Sequence, residues 1–227
     1  MSVIELKNDK ISAAFKTMGA ELTSLKDTEG TEYLWQGNPD YWSGQAPVLF
    51  PIIGCLRNGT ASVSGDKTCS FGRHGIARRK EFTLISSTED KAVFSLKADE
   101  ETKKQYPFDF ELQMTYELDG QKLKITHTVI NHDSIPMPFC VGGHPAFNCP
   151  ISEGEDFEDY VVEFEYPETA DCALLNEDAL IDNGNRVPIL KDSSTLPVKH
   201  EMFYNDALIF DQLKSRKVSL KHKDQEK

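Results

Sequence analysis

One stretch constrains this chain more than any other. Phe110-Glu111-Leu112-Gln113-Met114-Thr115-Tyr116-Glu117-Leu118 alternates apolar and polar residues, Asp119-Gly120 follows, and Leu123-Lys124-Ile125-Thr126-His127-Thr128-Val129-Ile130 comes next. A period of two sends alternate side chains to opposite faces of a strand, so these runs fit a sheet with one buried face. Asp-Gly between such runs is a strong hairpin signal, because glycine supplies the positive φ that tight turns need. A lone hairpin is marginal in water, so the rest of the chain must supply more strands.

It does. Val3 to Leu6 and Ile11 to Phe15 flank a turn at Asn8-Asp9. Phe82 to Ile85 and Ala92 to Leu96 flank a polar turn, and Tyr160 to Tyr166, Ala207 to Phe210 and Val218 to Lys221 read as further strands. Helical spacing is scarce: Asp99 to Tyr106 predicts one short helix, stopped by Pro107. The Pro- and Asp-rich stretch from Ile181 to Pro197 reads as a long loop region within one domain. Many strands between turn signals point to an all-β sandwich or barrel of antiparallel sheets over residues 1–227. The strand at Val218 to Lys221 is followed only by the turn-like His222 to Lys227, so the sheet is expected to be incomplete at its C-terminal side, a charged, frayed tail being the alternative.

Composition narrows the function. With 37 acidic against 25 basic side chains the formal charge is −12, which repels nucleic-acid backbones and anionic lipids. Cys55, Cys69, Cys140, Cys149 and Cys172 form no C-x-x-C pair and no metal-ligand spacing, which fits free thiols in a reducing compartment. The N-terminus carries charges where a signal peptide needs an apolar run, and no window approaches the roughly 18 apolar residues of a membrane span. The expectation is a cytoplasmic protein with no metal or cofactor.

Three segments hold residues that strands do not need. Pro47 to Gly59 is an apolar run ending at Arg57-Asn58-Gly59; its arginine is either a donor fork for hydroxyls or anions, or a surface side chain. In Phe71-Gly72-Arg73-His74-Gly75-Ile76-Ala77-Arg78-Arg79, glycines bracket an Arg-His pair and let backbone approach a ligand; a solvated loop is the alternative. In Phe139-Cys140-Val141-Gly142-Gly143-His144-Pro145-Ala146-Phe147-Asn148, Pro145 biases His144 toward extended backbone at a strand end; a structural histidine is the alternative. His127, His132, His200 and His222 read as structural or solvated. No nucleophile elbow, phosphate-binding glycine loop, dinucleotide fingerprint or H-E-x-x-H motif occurs.

Together, and in this order along the chain, these segments resemble the aldose 1-epimerase (galactose mutarotase-like) family, in particular its bacterial LacX-like branch. Gly19-Ala20-Glu21-Leu22, Tyr33-Leu34-Trp35-Gln36-Gly37 and Asn205-Asp206-Ala207-Leu208-Ile209-Phe210 extend the match. The resemblance implies a β-supersandwich that interconverts the α and β anomers of an aldose or sugar phosphate; a monomer or homodimer is expected. It assigns sugar binding to Arg57 and Asp206, with Asn205 the neighbouring alternative. It makes His74 a cleft histidine that hydrogen-bonds sugar oxygens, and His144 the general acid. It places the general base, a glutamate, on a strand after residue 227, and Glu226 does not take that role. Ring opening needs a base at the anomeric hydroxyl and an acid at the ring oxygen. The arginines Arg73, Arg78 and Arg79 keep a phosphorylated substrate open, and a silent sugar-binding domain is the alternative to an enzyme.

Overall fold

The computed structural model describes residues 3–64 and 66–224. The chain divides into two compact units, residues 1–148 and 149–227. Gln225, Glu226 and Lys227, the end of the expected C-terminal turn, lie outside the described residues.

The first unit opens with the antiparallel strands β1 (Val3–Lys7), β2 (Ile11–Lys16) and β3 (Glu21–Asp27). Asn8 shapes the first turn: its carboxamide oxygen accepts the N–H groups of Lys10 and Ile11 at 2.8 Å. Two short pairs follow in the chain: β4 (Val48–Leu49), which later meets β11 (Gly142–Gly143), and β5 (Thr60–Ser62) with β6 (Thr68–Ser70). Strands β7 (Thr83–Ser87), β8 (Lys91–Lys97), β9 (Phe110–Asp119) and β10 (Lys122–Asn131) form a four-stranded sheet in the order β10-β9-β8-β7. The expected short helix is α1 (Glu100–Gln105). Asp99 accepts the N–H of Thr102 at 2.6 Å, and the Thr102 hydroxyl accepts that of Asp99 at 2.8 Å, so both ends of a capping box are closed.

The alternation read from the sequence is the burial pattern of the sheet. On β9, Phe110, Leu112, Met114, Tyr116 and Leu118 are buried, and β2 buries Ile11, Ala13 and Phe15. Phe15 lies 4.3 Å from Tyr116 between ring centroids, and Phe50 lies 5.1 Å from Phe110. The buried phenols satisfy their hydroxyls on backbone: Tyr116 donates to Ala20 O and Tyr106 to Pro138 O. Lys122 pairs with Asp119, so Gly120-Gln121 is the two-residue turn and Gly120, at φ 57°, supplies its positive φ.

The second unit is a three-stranded sheet, β13-β12-β14, from β12 (Tyr160–Leu175), β13 (Ile181–Pro197) and β14 (Val218–His222). This corrects the reading of Ile181 to Pro197 as loop. The segment pairs antiparallel with β12 through four register shifts, and it is an edge strand of this sheet, where prolines cost no inner ladder bond. Ala207 to Phe210, read as a strand, is instead irregular backbone with one bridge between Ile209 and Ala173. Its Leu208 and Phe210 pack on a small core of Phe164, Leu190 and Leu196.

Candidate functional site

Local sequence explains how two histidines come to stand side by side in the first unit. Glu21, buried on β3, accepts the N–H groups of Gln45 and Ala46 at 2.9 Å and pairs with Lys16, fixing the approach to β4. β4 pairs with β11, so His144 follows directly from Gly143. The His144 N–H donates to Pro47 O at 3.1 Å, and that of Ala146 to Gln45 O at 2.8 Å. The turn after β11 is thereby stitched along the segment before β4.

His74 sits at φ 69°, a conformation few non-glycine residues adopt. It is held there by two bonds with Gly54: the His74 N–H donates to Gly54 O at 2.8 Å, and the Gly54 N–H donates to His74 Nδ1 at 3.0 Å. A backbone donor at Nδ1 selects the tautomer with its proton on Nε2. Gly75 must be glycine, because a Cβ there would lie 2.2 Å from Phe50 O. The N–H groups of Ile76 and Ala77 both reach that same carbonyl.

The result is an open basin of about 290 Å³ lined by Trp42, Pro47, Arg73, His74, Arg78 and His144. The His74 and His144 rings meet edge to face, 5.6 Å apart, and the Trp42 ring lies 5.2 Å from His144. Arg78 is half-buried, and its Nε is buried without a hydrogen-bond partner. Burial foremost, with help from neighbouring Arg79 and Arg73, pulls the Arg78 guanidinium below its ordinary range, while Glu21 opposes this. A cationic group crowded by two others and short of a bond is suited to an anion or a hydroxyl-rich ligand.

The sequence-derived residues are thus distributed unequally. His74 and His144 share one basin, with Arg73 and Arg78 beside them. Arg57 stands exposed on a 3₁₀ turn, Arg57–Gly59, and is not among the lining residues. Asp206 belongs to the second unit; it is exposed, at φ 75°, and its carboxylate accepts the Ala207 N–H at 2.8 Å. The other histidines have local surroundings: His132 is 3.7 Å from Glu111, His200 stacks on Phe157, and His222 meets Tyr160 edge-on. His127 on β10 has its Nε2 buried without a partner, and burial lowers its pKa. Sequence reasoning missed Trp42, which lies in the polar run Asn38 to Gly44 with no periodicity to mark it. Only its closeness to the flagged Tyr33 to Gly37 segment hinted at a role.

Comparison with known proteins assigns the chain to a family. The aldose 1-epimerase family model matches residues 2–227. The plasmid-borne and chromosomal LacX proteins of Lactococcus lactis subsp. lactis are each 42% identical over 226 residues, covering 96% of this chain and 75% of theirs. A galactose mutarotase related enzyme from Lactobacillus acidophilus superimposes with a TM-score of 0.91 at 36% identity, over 99% of this chain and 75% of that one. A galactose mutarotase-like protein from Lactobacillus casei ATCC 334 gives 0.88 at 29% identity, over 99% and 77%. All-β and antiparallel, with the galactose mutarotase-like fold, the chain belongs to the aldose 1-epimerase family.

Proposed function

We propose that the basin binds an aldose or sugar phosphate and exchanges its anomers by acid/base ring opening and closure. The observation that carries this reading is the pair of histidines 5.6 Å apart on a basin that also presents two arginines. His144 protonates the ring oxygen as the hemiacetal opens, while a base takes the anomeric hydroxyl proton. His74, its Nε2–H selected by Gly54, donates to a sugar oxygen and orients the ring. After rotation about one bond the aldehyde closes on its other face, and His144 takes the proton back. The base comes from outside the six lining residues. Arg57 and Asp206 are proposed to bind sugar hydroxyls. Arg73, Arg78 and Arg79 favour a phosphorylated substrate, because three cations stand close together in a chain of formal charge −12.

The family match across residues 2–227 supports treating the whole chain as one epimerase domain. Five free cysteines support a reducing, cytoplasmic setting. Among the described residues no helix is long and apolar enough to cross a membrane. A second reading, a sugar-binding domain without turnover, has one observation in its favour: none of the basin's described lining residues is a carboxylate.

The test is anomer exchange by NMR and binding by calorimetry, with free hexose and hexose 6-phosphate, for the wild type and His144→Asn. Exchange that falls roughly 10²–10⁴-fold in His144→Asn while binding survives supports the enzyme. Binding without exchange in the wild type selects the second reading. Exchange unaffected by His144→Asn removes that residue from the mechanism.

A further inference from the structure

We propose that Trp42 is the wall on which a pyranose stacks, and the residue that holds the His144 ring in its working orientation. This rests on the sugar-site reading above and adds the residue that selects the ligand's apolar face.

Trp42 follows Asn38-Pro39-Asp40-Tyr41, a polar turn segment in which Tyr41 is 84% exposed. Trp42 is half-buried and is not part of the buried core. The fold nevertheless fixes it closely. Its carbonyl accepts the Asn38 N–H at 3.1 Å and the Trp35 Nε1–H at 2.8 Å. The Trp35 N–H in turn donates to Ala146 O, two residues beyond His144, so one tryptophan ties together the segments that carry the other two rings.

Gly44 supplies the second observation. A Cβ at position 44 would lie 2.4 Å from Cζ2 and 2.7 Å from Cε2 of the Trp42 indole. These are atoms of a rigid ring, so the indole lies close against the backbone at 44, and glycine is what allows it. A residue whose carbonyl accepts two bonds and whose ring has a dedicated glycine is placed, not stranded on the surface.

Its neighbours say what it is placed for. Trp42 lines the basin, its ring 5.2 Å from His144 and tilted by 48°. His144 is exposed, and an unsupported imidazole on a surface samples several rotamers. Here it has the indole as one neighbour and the His74 ring as another. The basin therefore joins an aromatic face to cationic and hydrogen-bonding walls. A pyranose has that duality, with a face of C–H groups and a rim of hydroxyls. The indole takes the C–H face while Arg73, Arg78 and His74 take oxygens.

Trp42→Leu, Trp42→Phe and Gly44→Ala test this, with glucose and galactose as probes. Calorimetry gives affinity, and tryptophan fluorescence reports the site, Trp35 being the only other tryptophan. Trp42→Leu and Gly44→Ala are each expected to weaken hexose binding about tenfold, while Trp42→Phe, which keeps an aromatic face, stays within about threefold. The fluorescence change on adding hexose should vanish in Trp42→Phe. The His144 Hε1 resonance, shifted by the indole ring current, should move in Trp42→Leu with the melting temperature little changed. If the wild type binds hexose, His74→Ala weakens it, and Trp42→Leu and Gly44→Ala bind as the wild type does, this inference fails and the site reading stands. If the wild type binds neither hexose nor hexose 6-phosphate in any assay, the site reading fails and takes the inference with it.

Discussion

The β9–β10 hairpin and the β12–β13 ribbon are both long antiparallel pairs, yet different physics sets their registers. β9 and β10, of 10 residues each, stay in register from Asp119–Lys122 at the turn to Phe110–Asn131 at the open end. Every second residue of β9 is buried, and a slip of one position would turn that whole face to water. β12 and β13, of 16 and 17 residues, shift register four times and share a core of three buried side chains. Directional bonds hold this second unit. The Glu168 carboxylate accepts the N–H groups of Ser215 at 2.6 Å and Lys214 at 3.3 Å. Arg186 forks between Asp171 and Asp211, each at 2.7 Å. A uniform apolar face fixes a register everywhere at once, whereas polar clamps fix it point by point and leave bulges between.

The largest expected effect breaks the apolar side of this comparison. Phe110 is fully buried, with Phe50 at 5.1 Å and Tyr106 at 5.7 Å. Phe110→Ala should cost about 3–5 kcal/mol in urea unfolding, from lost transfer energy and the cavity left behind. A cost below about 1.5 kcal/mol would mean the hairpin does not depend on that face.

Acid should sharpen the other side. Hydrogen bonds from Ser215 hold the Glu168 carboxyl below its ordinary range, and Arg186 does the same for Asp211. A carboxyl lowered in the folded state stabilises at pH above its unfolded value, and that contribution is lost as pH falls through the folded value. Glu111 on β9 is lowered too, chiefly by Gln113 and Ser95, but the apolar face of β9 survives its protonation. Below about pH 4, amide protection in β12 and β13 should therefore fall before that in β9 and β10. Hydrogen exchange corrected for intrinsic rates measures this, and simultaneous loss in both pairs would refute it.

The same contrast explains what could be read from the sequence. The β9–β10 pair was legible because its register, turn and burial share one period. The β13 strand was not: Pro188, Pro197 and a run of acids and serines look like loop chemistry, and pairing through bulges leaves no period to detect. Ala207 to Phe210 carries strand-like residues, but they serve the small core from irregular backbone. In the site, His74 and His144 stood out through the glycines and proline that shape their turns. Arg57 stood out equally, beside Asn58-Gly59, yet its turn is exposed and outside the basin lining. Trp42 left no local signature, because the glycine that makes room for it acts through tertiary geometry.

The smallest effect asks whether the two pairs also differ in backbone strain. Gly120 turns the β9–β10 hairpin at φ 57°, and a Cβ there would meet nothing within 4 Å. Gly120→Ala therefore tests backbone conformation alone. The left-handed region costs a non-glycine residue roughly 1–2 kcal/mol, and the stiffer unfolded chain returns roughly 0.4–1, so a net loss of about 1 kcal/mol is expected. The β12–β13 pair holds a non-glycine residue in the same region: Asp192, exposed, at φ 47°, its N–H donating to the Thr169 hydroxyl at 3.0 Å. Asp192→Gly keeps that N–H and removes the conformational penalty, which is smaller for aspartate than for alanine. It also loosens the unfolded chain by a similar amount, so the net change should lie within about 0.5 kcal/mol of zero. Urea midpoints at unchanged slope compare the two variants. If Asp192→Gly costs as much as Gly120→Ala, the Asp192 side chain holds the bulge. If it clearly stabilises, the strand carries strain that its sequence has not relieved.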